Sequence, residues 1–161
     1  MITKFKKFYE NVLIDYDIDN IINDYFATAL GTEDAFELKD KTIYDFSDGA
    51  KQQAKDEIEW FIKTAIWFDK DIFEDISQDK IGGNIWYSRN GHGTGFFDDI
   101  YDKDILTILD ILLKQLGEIN IEVDSNNKIF FFGGSNKYKT FNKEEYYKEY
   151  QRNKKIKKYN I

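Results

Sequence analysis

The sequence predicts an α+β fold in which helices pack on one face of a small three-stranded antiparallel sheet. Three observations lead there. Apolar residues recur at helical spacing through much of the 161-residue chain. Stretches at 84–88, 119–123 and 128–132 have the aromatic or alternating character of strands. The turn residues at 124–127 join the last two into a hairpin. The length suits one domain with a sizeable core.

Taken in order, Phe5, Phe8, Tyr9, Val12, Leu13 and Tyr16 predict an amphipathic helix over 3–14. Ile18, Ile21, Ile22, Tyr25, Phe26 and Ala29 continue the period as a second helix, with Asp15 or Asp17 as N-cap and Gly31 as its stop. The spacing of Asp15, Asp17 and Asp19 imitates a calcium loop, but Asn20 and Phe26 stand where that loop needs Gly and Glu. These carboxylates are therefore read as caps. Residues 32–46 are polar and irregular. Ser47 then opens a long helix to about Phe68, with Ala50, Ala54, Ile58, Phe61, Ile62 and Ala65 inward and Lys51, Lys55, Glu59 and Lys63 outward. Trp60 and Trp67, seven apart, share a face and are read as core.

A short helix or turn is expected over 71–78, and Gly82 and Gly83 break the chain before the strand at 84–88. After a glycine-rich loop, Ile105, Ile108, Leu109, Leu112, Leu113 and Leu116 describe the clearest helix, stopped by Gly117. Asp98, Asp99, Asp102 and Asp104 crowd its N-terminal end, where the helix dipole favours negative charge. The hairpin follows. Asn142 and Glu145 form a capping pattern for a last helix over 143–152, and the lysines of 154–158 are expected to fray.

Charge divides the chain. Residues 1–136 hold 27 Asp and Glu against 14 Lys and Arg, whereas residues 137–161 hold 9 Lys and Arg against 3 Glu. The expected organisation is an acidic α+β domain at 1–136 and a basic C-terminal helix or tail at 137–161. An acidic body is repelled by the backbone of nucleic acid, so direct nucleic-acid binding is disfavoured. It is attracted to basic grooves on proteins, including grooves that hold DNA or RNA. Acidity also serves solubility alone. The chain has no Cys, which excludes disulfides and thiolate metal sites and suits a reducing cytoplasm. No segment reads as a signal peptide, and no apolar run approaches the roughly 18 residues of a membrane span. No membrane partner is expected.

The unusual residues gather in one loop. Residues 86–99 contain the only His and one of two Arg, with Gly91, Gly93 and Gly95 at alternate positions. Glycine accepts φ > 0, so this spacing allows a tightly folded loop. Apolar rings flank it: Trp86 and Tyr87 before, Phe96 and Phe97 after. The candidate binding residues are Arg89, Asn90, His92, Thr94, Asp98 and Asp99. Were the loop catalytic, Arg89 would clamp an anion, His92 would move protons, and Asp98 or Asp99 would assist. The glycine pattern is neither a P-loop nor a dinucleotide fingerprint, and no metal-ligand set is complete, so no cofactor and no metal are expected. The structural alternative has Arg89 paired with nearby carboxylates, His92 bonded to a backbone carbonyl, and the loop packed on Trp86 and Phe97.

The run from Asn84 to Asp98, Asn-Ile-Trp-Tyr-Ser-Arg-Asn-Gly-His-Gly-Thr-Gly-Phe-Phe-Asp, resembles the signature of a family of small bacteriophage proteins. There an aromatic segment leads into Ser/Thr-Arg-Asn-Gly-His-Gly-x-Gly-Phe-Trp-Asp. The similarity extends to Ala54 and Phe61, Ile81-Gly82, the Leu-rich helix at 105–116, Gly117-Glu118 and the turn before the final strand, covering about residues 47–133. Phe97 stands where Trp is usual, and the lysine-rich end after Gly134 has no counterpart. The resemblance implies a phage protein acting in the cytoplasm of a bacterial host. Small size and an acidic body then suggest an accessory protein that binds and inhibits a host protein. The expected target is a defence nuclease complex, in the manner of anti-CRISPR or anti-restriction proteins. The alternative is a nucleotide-binding, phosphoryl-transfer or hydrolytic enzyme using the Arg-Asn-Gly-His-Gly loop. Nucleic-acid binding through the aromatic hairpin and basic tail is a third reading.

Overall fold

A computed structural model describes residues 13–159. The helix expected over 3–14 lies almost wholly outside them; at their start Leu13–Asp15 forms one 3-10 turn. The main elements are helices α1 (Ile18–Thr32), α2 (Asp48–Phe68), α3 (Ile81–Arg89), the single turn α4 (Phe96–Asp99) and α5 (Lys103–Leu116). Strands β1 (Ile119–Val123) and β2 (Ile129–Gly133) follow, and then helix α6 (Lys143–Tyr159).

Local chemistry sets the helix starts. The side chains of Asp17, Ser47 and Asp102 accept hydrogen bonds from the backbone N–H groups of Asn20, Ala50 and Asp104 at 3.1, 3.1 and 2.8 Å. These bonds satisfy donors that the first helical turn leaves free. Gly31 does not end α1, which runs on to Thr32. There the Thr32 hydroxyl accepts from the indole N–H of Trp86 at 2.8 Å, which fixes the end of α1 against α3.

The expected strand at 84–88 is helical and belongs to α3, so the sheet has two strands among the described residues, not three. The physical reason is burial on nearly every side. Ile81, Gly82, Gly83, Asn84, Ile85, Trp86 and Arg89 are all buried and Tyr87 and Ser88 half-buried, and a short segment with so narrow a solvent face shows neither the helical nor the alternating period. Gly82 and Gly83 do not break the chain; they let α3 approach α1. A Cβ on Gly82 would lie 2.0 Å from the Ile21 carbonyl oxygen and 2.6 Å from the Tyr25 nitrogen. Only a residue without a side chain permits that crossing.

The strands pair antiparallel from Ile119 opposite Gly133 to Val123 opposite Ile129. Outside the pair, Phe46 bridges to Ile129, and the Ser47 N–H donates to the Ile129 carbonyl at 2.8 Å. The core lies between the hairpin and helices α1, α2, α3 and α5. It contains Phe26 stacked on Phe46 at 3.9 Å, Tyr25 edge-on to Trp86 at 5.2 Å and Phe61 facing Phe96 at 5.8 Å.

Trp60 and Trp67 are half-buried and seat the C-terminal segment. Trp60 meets Tyr138 at 5.3 Å, and Trp67 meets Tyr147 of α6 at 5.6 Å. Helix α6 continues past residue 152 to Tyr159, so 154–158 are helical and not frayed. Lys154 Nζ lies 3.2 Å from Asp104 Oδ2 at the start of α5. Among the described residues no helix is long and apolar enough to cross a membrane.

Candidate functional site

The loop that joins α3 to α4 is built from its glycines. Gly91, Gly93 and Gly95 take φ of 67°, 71° and 113°. The first two face open space, so their requirement is conformational; a Cβ on Gly95 would also strike Ser88 Oγ at 2.3 Å. That hydroxyl accepts from the Phe96 N–H at 3.1 Å, and the His92 N–H donates to the Tyr87 carbonyl at 3.1 Å. Trp86 and Phe96 are buried and hold the two ends. Phe97 is 67% exposed and does not serve as a clamp.

The six candidate residues divide into two groups. Arg89 and Asn90 turn inward. The Arg89 guanidinium donates from Nη1 to Glu57 Oε2 at 2.6 Å and to the Tyr25 hydroxyl at 2.8 Å. It also donates from Nη2 to the Leu116 carbonyl and from Nε to the Gly117 carbonyl, both at 2.8 Å. Its anionic partner is thus Glu57 on α2, not Asp98 or Asp99. Arg89 closes the last turn of α3, where its side chain points to the core and not to the loop tip. Burial by itself would lower its pKa, but the facing oxygens of Tyr25 and Glu57 prevail and the net shift is upward. Burial pushes the Tyr25 hydroxyl up to about 12. Asn90 Oδ1 accepts from the Ile119 N–H at 2.8 Å and so caps the outer edge of β1, while its Nδ2 is buried without a partner.

His92, Thr94, Asp98 and Asp99 form the outer group. His92 is exposed, with its ring edge-on to Tyr87 at 6.1 Å. Thr94 Oγ1 donates to Asp98 Oδ2, and Asn84 Nδ2 donates to Asp99 Oδ2 at 2.8 Å. Thr94, Asp98 and Asp99 line a polar cleft of about 270 Å³ together with Asp24, Thr28, Lys80, Gly83, Asn84, Tyr87 and Gly95. His92 is not among its lining residues. Asp24 accepts from the Gly83 N–H at 2.5 Å; burial raises its pKa above the usual carboxylate value, and that hydrogen bond opposes the rise.

Chemically, the cleft presents three carboxylates against the single ammonium of Lys80, with hydroxyl and amide groups, a lining that favours neutral or cationic groups over phosphates. No group of three or more His, Cys, Asp or Glu side chains among the described residues is placed to hold a metal. Beside it, Tyr101 is 90% exposed and, with Phe97, stands amid Asp98, Asp99, Asp102 and Asp104.

Sequence reasoning missed Glu57, Asp24 and the exposed ring pair. A signal existed for Glu57: it falls between Ala54 and Ile58 on the inward stripe of α2, where a carboxylate needs a cation. No such signal marked Asp24, which reaches the site only because Gly82 and Gly83 bring α1 against α3. Compared with protein-family models, curated proteins and solved structures, the chain matches none of them.

Proposed function

We propose that this chain is a phage accessory protein that binds and inhibits a host defence nuclease of the CRISPR-effector or restriction type, occupying a basic groove that otherwise holds nucleic acid. The phage context rests on the Arg-Asn-Gly-His-Gly-x-Gly-Phe signature. The observation that carries the binding mode is the segment 97–104, where Phe97 and Tyr101 project into solvent among four carboxylates. Single exposed apolar residues are ordinary. Two large rings within five positions, in a segment whose four carboxylates outnumber Lys103 and the Lys154 paired to Asp104, supply both parts of a strong contact. The rings fill pockets as interface anchors do, and the carboxylates steer the surface toward Lys and Arg.

The enzymatic alternative has less support. Arg89, its phosphate clamp, is engaged by four acceptors and is 5% exposed. Its remaining groups lie beside an acidic cleft that repels phosphate. Thermal shift against nucleotides and divalent cations is expected to show no change that His92→Ala abolishes.

The direct test uses tagged full-length protein to capture partners from host lysate, followed by a nuclease assay on whatever is recovered. The expected result is a stoichiometric nucleic-acid-binding protein whose DNA binding and cleavage are blocked, with the complex weakening as salt rises. Replacing Phe97 and Tyr101 together by Ala is expected to weaken inhibition by about tenfold or more. Recovery of chaperones alone, or undiminished inhibition by the double variant, would count against the proposal.

A further inference from the structure

The C-terminal helix carries charge of the opposite sign, and the proposed inhibition makes no use of it. Helix α6 turns Tyr146 and Tyr150 toward the body, where both are half-buried, and Lys154 toward Asp104. The opposite side follows from the helical period: Lys148, Arg152, Lys155 and Tyr159 are spaced i, i+4, i+7 and i+11 and form one outward stripe. All four are exposed, Tyr159 at 80%, and Lys148, Arg152 and Lys155 have no ion pair among the described residues. The stripe is about 16 Å long at the helical rise. Residues 152–158 include Arg152, Lys154, Lys155, Lys157 and Lys158 and no carboxylate.

We infer that this stripe is a binding surface for single-stranded nucleic acid, with the three cations on successive phosphates and the Tyr159 ring stacked on an unpaired base. Charge complementarity selects a polyanion, because lysines placed only to balance the helix dipole belong in the last turn, whereas Lys148 lies in the second turn of a 17-residue helix. The exposed ring at the end of the stripe selects unpaired bases over a duplex. A membrane fits poorly, since Tyr159 is the large exposed apolar residue of the stripe, Ile156 facing the groove against α5, and one ring buries too little for interfacial binding. A second copy offers its own acidic body to the same stripe, and the sedimentation arm of the test tells that occupant from nucleic acid. The acidic body keeps the affinity modest and confines contact to the helix.

The test is fluorescence anisotropy of the full chain with labelled single-stranded oligothymidylate and oligouridylate across a salt series. Three phosphate contacts predict a slope of log affinity on log salt of about −2. Replacing Lys148, Arg152 and Lys155 together by Gln is expected to weaken binding by about tenfold or more, with circular dichroism and thermal midpoint unchanged. The Phe97/Tyr101 double Ala variant should bind as the parent does, which separates this inference from the proposed inhibition. Four results would overturn it: no binding at low salt, equal binding by the triple Gln variant, stronger binding to phosphatidylserine vesicles, or a triple variant that differs from the parent in sedimentation.

Discussion

Arg89 shows how one side chain can be legible in kind and misread in place. Its rarity and its glycine-rich neighbourhood mark it as important, and the catalytic reading of the loop has it clamp an anion from outside. The structure places it in the core against Glu57, with the two side chains 1% and 4% exposed. Removing the cation leaves a buried carboxylate without a counter-ion. Arg89→Met is therefore expected to destabilise the fold by about 3–5 kcal/mol in urea titration. Adding Glu57→Met to that variant should recover much of the loss, because an apolar pair leaves no uncompensated charge. Tyr25, in the same network, gives a pH signature. Its hydroxyl pKa is raised by burial from 10.0 to about 12, with Arg89 opposing the rise. The folded value lies above the unfolded one, so this contribution is whole below pH 10 and disappears as pH climbs toward 12. The stability advantage of the parent over Tyr25→Phe should shrink by roughly 2 kcal/mol across that window.

At the level of elements, the glycines of α1 and α3 make opposite predictions. Gly82→Ala places a methyl group against the backbone of α1, which cannot yield without separating the helices, and should destabilise by about 3 kcal/mol in chemical denaturation. A Cβ on Gly31 meets nothing within 4 Å. Gly31→Ala inside α1 should stabilise by about 0.5–1 kcal/mol. The same helices mark what could be read in advance. α1, α2 and α5 each keep a solvent face, so their apolar periods are visible; their caps are Ser47, as expected, Asp17, one of two candidates, and Asp102, one of four aspartates crowding that end. α3 exposes only part of Tyr87 and Ser88, and an aromatic run flanked by glycines looks like a strand. The sheet was over-counted for that reason alone. The site suffered in proportion: the position of Arg89 on the last turn of α3, and of Asp24 across from it, depends on a crossing that no local pattern announces.

Across the whole molecule, the charge division at residue 136 was readable from composition, whereas the way the basic segment lies against the body was not. Helix α6 rests on Trp67 and Phe68 through Tyr146 and Tyr147, contacts between residues some eighty positions apart. The Arg89 clasp has the same long reach, since its four partners lie 27, 28, 32 and 64 positions away. Such a clasp can close only once the chain has found its topology, late on the folding route. The Arg89→Met penalty should therefore fall on the unfolding limb of a stopped-flow chevron, with the refolding rate nearly unchanged. What the buried guanidinium supplies is endurance: a lower rate of opening, and with it a longer lifetime against proteases.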